Sequence, residues 1–107
     1  MSDLSPEQVA ELIDREKVQL IDVREAHEHA AGRIGGDRLI ELGRLSAAAE
    51  SLSPATPVVF YCRTGARSAM AAEAFGAAGF QAHNLEGGLK AWVAAGLPLE
   101  PEGGRVA

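Results

Sequence analysis

The sequence contains a single cysteine and few positive charges. Cys62 is the only thiol among 107 residues, so neither an internal disulfide nor a zinc site of several cysteines can form. The chain has ten Lys and Arg residues and fifteen Asp and Glu residues, which gives a net charge of -5. This balance argues against nonspecific binding to nucleic acid or to an anionic membrane surface. An anionic ligand would therefore need a local positive pocket.

Long apolar runs are also missing. No stretch approaches the ~20 apolar residues of a transmembrane helix, and the first residues, MSDLSPEQ, lack the basic and apolar regions of a signal peptide. We therefore expect a cytoplasmic protein whose thiol stays free in a reducing compartment. The length fits one domain, which we expect over residues 1–100, followed by a flexible C-terminal tail, PEGGRVA, over residues 101–107.

Short apolar segments alternate with helical patterns along the chain. Ser5-Pro6 followed by Gln8 is typical of a helix start with a capping box. The remaining patterns predict strands at 18–23, 39–40, 58–61 and 82–85, and helices at 25–31, 45–52, 68–78 and 89–95. This alternation predicts an α/β domain with a mainly parallel sheet.

Cys62 directly follows the continuous apolar run VVFY, which is typical of a strand covered on both faces. In an open α/β sheet, ligands bind beyond the carboxyl ends of the strands. The residues after Cys62 lead into a helix start, where free N–H groups collect and the helix dipole is positive. Gly65 permits a tight curl, and Arg63 and Arg67 add full charges. The pattern predicts an anion-binding loop around the thiol.

Ionisation of the thiol does not by itself explain the two arginines. Lowering a thiol pKa from ~8.5 to ~6.5 raises the thiolate fraction at pH 7 from ~3% to ~75%. The same change lowers nucleophilicity about 8-fold, so the net gain is only ~3-fold. Binding a small dianion, and stabilising the anion that leaves, explains the arginines better.

Two other polar groups are candidates for the site. Asp22 and Arg24 end a strand at the same edge of the predicted sheet; they either orient the cysteine loop or form an ion pair between turn residues, and the ion pair is the preferred interpretation. His27, Glu28 and His29 suggest a metal, but residues two apart on a helix point in different directions and no third ligand is evident. A solvated helix face is the preferred interpretation of these three, so we predict no metal site.

Three stretches resemble the motifs of rhodanese-family sulfurtransferases. YCRTGARS resembles the family's active-site loop, IDVREAHEHAAGRIGG resembles its D-V-R-E…E…G-H-I-P-G segment, and NLEGGLKAW followed by AAGLP resembles its C-terminal motif. They occur in the family's order and span Ile21 to Pro98. The resemblance implies a single rhodanese-like domain with a five-stranded, mostly parallel sheet flanked by helices on both faces.

The resemblance also implies a chemistry, in which Cys62 accepts a sulfane sulfur as a persulfide and no cofactor takes part. The loop residues that would surround the sulfur and its donor are Arg63, Thr64, Gly65, Ala66, Arg67 and Ser68. Arg63 and Arg67 would hold an anionic donor such as thiosulfate. The sequence departs from the family pattern at Arg33, Gly35 and Asp37, and these changes are expected to loosen the local turn.

Three functions remain open from the sequence. The favoured one is a sulfurtransferase that moves sulfur from a small anionic donor to cyanide or a thiol. The second is a sulfur-carrier or sensor domain that delivers persulfide sulfur to a protein partner. The third is a cysteine phosphatase or arsenate reductase. Related phosphatases have five residues between cysteine and arginine, whereas here four residues, RTGA, separate Cys62 from Arg67, so the ring is smaller and suits one sulfur atom.

Overall fold

A five-stranded sheet forms the centre of the molecule. The computed structural model describes residues 2–107, and Met1 lies outside the described residues. The strands are β1 (Ser2–Leu4), β2 (Gln19–Asp22), β3 (Arg38–Leu39), β4 (Val58–Tyr61) and β5 (Ala82–Leu85). Their order in the sheet is β1-β5-β4-β2-β3, and every strand pair is parallel. The predicted α/β fold with five mostly parallel strands is confirmed.

Four helices connect these strands, and a fifth follows β5. They are α1 (Pro6–Asp14), α2 (Ala26–Ala31), α3 (Leu45–Ala48), α4 (Ala66–Ala77) and α5 (Gly88–Ala94). The predicted capping box of α1 is present, because Ser5 Oγ accepts from the Gln8 amide at 3.2 Å and Gln8 Oε1 accepts from the Ser5 amide at 2.8 Å. Within residues 2–107, no helix is both long enough and apolar enough to span a bilayer.

Two predicted helices have an end that differs from the observed one by two residues or more. The helix expected over 45–52 is a short α segment, α3, between the 3₁₀ turns Leu42–Arg44 and Ala49–Ser51. Helix α4 begins at Ala66, two residues before the predicted start, because Gly65 at φ 103° turns the chain directly from the cysteine loop into the helix. The loop is therefore shorter than the sequence predicted.

Helices cover both faces of the sheet. Side chains of β4 alternate between two apolar clusters, and all four residues of this strand are fully buried. On one face, Val58 and Phe60 pack in a cluster that includes Phe75 of α4, with the two aromatic ring centroids 5.0 Å apart. On the other face, Val59 and Tyr61 pack in a cluster with residues of α1 and α5. This double burial fixes the end of β4, where Cys62 begins the loop.

Strand β1 was not predicted from the sequence. It is three residues long and mostly polar, and it lies at the edge of the sheet. It exists through its pairing with β5, which aligns Asp3 with Asn84 and Leu4 with Leu85. A strand that depends on pairing across the whole chain leaves no periodic pattern in its own three residues.

Residues 101–107, predicted to be a flexible tail, lie against the domain. The Arg105 amide donates to Ala31 O at 2.9 Å, Arg24 Nη1 donates to the backbone oxygen of Ala107 at 3.3 Å, and Val106 packs against the apolar cluster under α1 and α5. The mobility of this segment and the domain boundary at residue 100 stay predictions.

The turn that departs from the family pattern makes defined contacts. Arg33 and Glu100 exchange two backbone hydrogen bonds of 2.8 and 2.7 Å. Tyr61 Oη donates to Asp37 Oδ2 at 2.5 Å and accepts from the Ile34 amide at 3.1 Å. The substituted Asp37 thus provides one of the bonds that hold the turn to the central strand.

Candidate active site

Cys62 lies at the bottom of the loop between β4 and α4, where its side chain is almost completely buried. The Gly65 amide donates to Cys62 Sγ at 3.1 Å, and Ser68 Oγ lies 3.4 Å from the same sulfur. The loop therefore curls around the sulfur at a helix start, with the N-cap amide directed at it. That this loop binds an anion stays a prediction.

The first turn of helix α5 is hydrogen-bonded to the backbone of the cysteine loop. The Leu89 amide donates to Cys62 O at 2.8 Å and the Lys90 amide donates to Arg63 O at 3.1 Å. Gly88 makes this approach possible, because a Cβ atom there would lie 2.5 Å from Arg63 O, and its φ of 63° favours glycine. The glycine pair of NLEGG is thus the position where α5 contacts the loop backbone.

The pKa of Cys62 lies below its ordinary value. Burial of the sulfur raises the pKa, while hydrogen bonds to the sulfur, including those from the backbone amides of Ser68, Gly65 and Thr64, lower it by more than burial raises it. These donors all belong to the loop or to the first turn of α4, so loop conformation and thiolate stability are coupled.

Arg67 forms a bidentate ion pair with Glu28 of α2. Arg67 Nη1 lies 2.8 Å from Glu28 Oε1, and Nη2 lies 3.0 Å from Oε2. The hydrogen bonds from Arg67 hold the pKa of Glu28 at about 2, well below its ordinary value. The sequence predicted that Arg67 holds an anionic donor, and this stays a prediction; the contact that the structure has is the ion pair with Glu28, which connects the first turn of α4 to α2.

Arg63, Thr64 and Ala66 line the exposed side of the loop. Among residues 2–107 the Arg63 guanidinium has no carboxylate partner. An open cleft of about 650 Å³ lies beside Arg67. Its lining residues are Val23, Glu25, Glu41, Leu42, Gly43, Arg44 and Arg67. An anion that approaches the loop can therefore be met by a free guanidinium at Arg63.

Asp22 and Arg24 form a fully buried ion pair. Arg24 Nε and Nη2 donate to the Asp22 carboxylate at 2.8 to 3.1 Å, and Nη2 also donates to Gly32 O at 2.7 Å. The guanidinium carbon lies 5.6 Å from the centre of the Tyr61 ring. These contacts connect the end of β2 to the chain after α2 and to the C-terminal residues, so they match the ion pair preferred from the sequence. A role in orienting the cysteine loop stays a prediction.

Two separate groups, each of two carboxylates and one histidine, have ligand atoms close enough together to bind a metal ion. They are Asp22, His29 and Asp37, and Glu25, His27 and Glu28, with ligand atoms within 4.8 Å in each group. The sequence had placed His27 and His29 on different sides, and they do belong to different groups. In the first group Arg24 binds Asp22 and Tyr61 binds Asp37; in the second Arg67 binds Glu28. These carboxylates already have protein partners.

Sequence reasoning missed three residues near the thiol. Glu28 was interpreted as part of a solvated face, yet it is buried against Arg67. Asn84 Oδ1 accepts from Ser68 Oγ at 2.5 Å, and Asn84 Nδ2 donates to Asp3 Oδ1 at 3.1 Å. The available signal was the asparagine before the glycine pair in NLEGG, a polar residue in an otherwise apolar strand pattern.

The fold and the loop together define a class: a parallel α/β domain with a cysteine at the centre of a ring of N–H donors. The sequence pattern described as "Rhodanese-like domain" matches residues 5–95, and the chain belongs to this family.

Named relatives and a solved structure agree with this membership. "Uncharacterized protein YqhL" of Bacillus subtilis is 40% identical over 77 residues, which are 71% of this chain and 61% of that protein's length. A protein named "Sulfurtransferase" from Allochromatium vinosum is 36% identical over 86% of this chain and 88% of its own length. The crystal structure of a rhodanese-related protein from Thermoplasma volcanium matches with a TM-score of 0.85 at 26% identity, over 92% of this chain and 97% of that one. These similarities support a role in sulfur transfer, which involves a sulfur donor and an acceptor.

Proposed function

We propose that this protein is a sulfurtransferase that takes a sulfane sulfur from a small anionic donor such as thiosulfate onto Cys62. The observation that carries the proposal is the position of the sulfur, 3.1 Å from the Gly65 amide at the start of α4. N–H groups that converge on one sulfur atom stabilise negative charge on it or on a terminal sulfur attached to it. Family membership and the relative named sulfurtransferase support the same reaction.

The first half-reaction is a displacement at sulfur. The Cys62 thiolate attacks the sulfane sulfur of thiosulfate, a new S–S bond forms, and the S–S bond of thiosulfate breaks. The electron pair of the broken bond leaves with sulfite, so Cys62 becomes a persulfide without any external oxidant or reductant. In the second half-reaction cyanide or a thiolate attacks the terminal sulfur, and the Cys62 thiolate leaves.

The two arginines have different roles in this proposal. Arg63 is exposed and attracts the anionic donor, while Thr64, Gly65, Ala66 and Ser68 complete the loop around the transferred sulfur. Arg67 holds the loop through Glu28, and its remaining N–H groups contribute to donor binding. A free thiol of this kind suits the reducing cytoplasm, where we place the reaction.

Mass spectrometry of the intact protein tests the proposal. Incubation with thiosulfate should make the protein heavier by one sulfur atom, and cyanide should restore the original mass. Cys62→Ser should show neither change, and since the chain has one cysteine, no other thiol can account for the label. A serine variant that still turns over thiosulfate would refute the proposal.

Catalytic turnover then separates an enzyme from a carrier domain. An enzyme should release sulfite from thiosulfate continuously in the presence of cyanide or a small thiol. A domain that serves only as a carrier or sensor should load once and release its sulfur only to a protein partner.

A further inference from the structure

A chain of hydrogen bonds runs from the edge of the sheet to the Cys62 sulfur. Parallel pairing of β1 with β5 brings Asp3 beside Asn84. Asn84 Nδ2 donates to Asp3 Oδ1 at 3.1 Å, and Ser68 Oγ donates to Asn84 Oδ1 at 2.5 Å. Ser68 Oγ in turn lies 3.4 Å from Cys62 Sγ. Ser68 is fully buried and Asn84 is buried, so bulk water does not compete for these groups.

The number of protons in this series of hydrogen bonds restricts which group donates to which. The Asp3 carboxylate only accepts hydrogen bonds, so it orients the NH₂ group of Asn84 toward itself. The carbonyl oxygen of Asn84 then faces Ser68, whose hydroxyl carries one proton. That proton cannot be donated to Asn84 and to Cys62 at the same time. Two oxygens 2.5 Å apart need a proton between them, and Asn84 Oδ1 carries none, whereas 3.4 Å is an ordinary oxygen–sulfur distance for a proton from either atom. The Ser68 proton therefore lies toward Asn84, and a lone pair of Ser68 faces the sulfur.

We propose that Asp3 is a positioning residue that, through Asn84, keeps the Ser68 proton turned away from Cys62 and thereby disfavours the free thiolate. In the resting state the Cys62 thiol donates its own proton to Ser68 Oγ. A persulfidated Cys62 carries its charge on the terminal sulfur, so Sγ needs no donor from Ser68. When the thiolate forms, the Ser68 proton must leave Asn84 to reach Sγ. Compared with a Ser68 hydroxyl that is free to donate to Sγ, the arrangement thus favours the thiol and the sulfur-loaded state over the bare thiolate between them; the second of these states rests on the proposed function.

The other charged groups around the thiol are arranged differently. Arg67 of α4 is paired with Glu28 of α2, and Arg24 is paired with Asp22 after β2. Three more charged residues are exposed: Arg63 of the loop, Glu86 before α5 and Lys90 of α5. The charged side chains around the thiol, apart from Asp3, are therefore Arg67, Glu28, Arg24, Asp22, Arg63, Lys90 and Glu86. None of these side chains has a hydrogen bond to Ser68 or Asn84 among residues 2–107. Asp3 is the charged group connected to the thiol through the Ser68 hydroxyl.

The test is the thiol pKa of Asp3→Asn, measured from the ultraviolet absorbance of the thiolate against pH. An amide at position 3 can donate to Asn84 Oδ1, so Asn84 can turn its NH₂ group toward Ser68 and free the hydroxyl proton for Sγ. We expect the pKa of Cys62 to fall by roughly 0.5–1 unit, the size of one net hydrogen bond. The readout concerns the unreacted thiol, so its outcome is independent of whether Cys62 accepts sulfur.

A double-mutant cycle separates this path from simple loss of charge. In a Ser68→Ala background, Asp3→Asn should leave the pKa nearly unchanged. Glu86→Gln removes an exposed carboxylate just after β5 and should shift the pKa by much less than Asp3→Asn. Asn84→Ala, which removes the acceptor for the Ser68 proton, should also lower the pKa and serves as the second variant if Asp3→Asn is poorly folded. An unchanged pKa in Asp3→Asn, or an equal fall in the Ser68→Ala background, would overturn the proposal.

Discussion

Replacing Glu28 by glutamine tests whether its ion pair with Arg67 holds the cysteine loop in place. Glutamine keeps the size of the side chain, and its oxygen can still accept from the Glu25 amide, which lies 3.0 Å from Glu28 Oε1. The substitution removes the negative charge that faces both Nη atoms of Arg67. Because Arg67 belongs to the first turn of α4, we expect the loop to loosen while the rest of the fold stays intact.

The magnitude follows from the carboxylate pKa. A fall from 4.5 to about 2 corresponds to at most about 3.4 kcal/mol, at 1.36 kcal/mol per unit. The Arg67 side chain is 35% exposed, so solvent screens part of this interaction. Glutamine also retains one acceptor. We therefore expect the free energy of unfolding to fall by roughly 1–2.5 kcal/mol at pH 7.

The pH dependence has a definite sign. The folded-state pKa of Glu28 is lower than its unfolded value, so the pair stabilises the fold fully above pH 4.5 and loses this contribution as the pH falls toward 2. Glu28→Gln lacks this contribution at every pH. The difference in unfolding free energy between the two proteins should therefore shrink between pH 4.5 and about 2.

Urea unfolding across this pH range measures the effect, with Glu11→Gln as the matched control. Glu11 pairs with Arg15 at 2.6 Å, but both side chains are more than half exposed, so its loss should cost only about 0.3–0.5 kcal/mol. Sulfur transfer by Glu28→Gln should fall similarly for charged and uncharged donors, since loop geometry serves both. If Glu28→Gln cost no more than Glu11→Gln and retained full activity, the proposed role of the pair would be wrong.

Three further predictions concern the loop. Arg63→Ala should lower kcat/KM for thiosulfate about 10- to 150-fold, the value of one charge-assisted contact, with a much smaller loss for an uncharged sulfane donor; equal losses would indicate a structural role. Gly88→Ala should destabilise the fold by about 1–3 kcal/mol and reduce sulfur transfer. Gly96→Ala, at φ 81° with open space around it, should cost only the backbone strain. Thermal unfolding compares the two variants, and equal losses of stability would contradict the predicted clash between a Cβ at position 88 and the loop. Hydrolysis of an aryl phosphate should be negligible beside thiosulfate turnover in the same preparation; phosphate hydrolysis that depends on Cys62 and exceeds sulfur transfer would favour the phosphatase hypothesis.

Local sequence determined the elements whose signals lie within a few residues. The capping box of Ser5 and Gln8 fixed the start of α1, and the run VVFY predicted a strand that is buried on both faces. The order of Cys62, Arg63, Gly65 and Arg67 predicted a ring of N–H groups at a helix start, because these positions follow one another without intervening structure. Backbone geometry of this kind is dictated by neighbours in the chain.

Tertiary structure decided the partners of these residues. Glu28 reaches Arg67 across 39 positions, and Asp3 reaches Asn84 across 81. Neither pairing has a local pattern, and both arise because parallel strands place their carboxyl ends, and the helices that follow, at one edge of the sheet. The same cause explains why β1 was missed and why Arg67 is bound to a carboxylate. The sequence by itself therefore determined that a cysteine loop exists and how it curls, while the sheet order determined which charges and hydroxyl protons surround its sulfur.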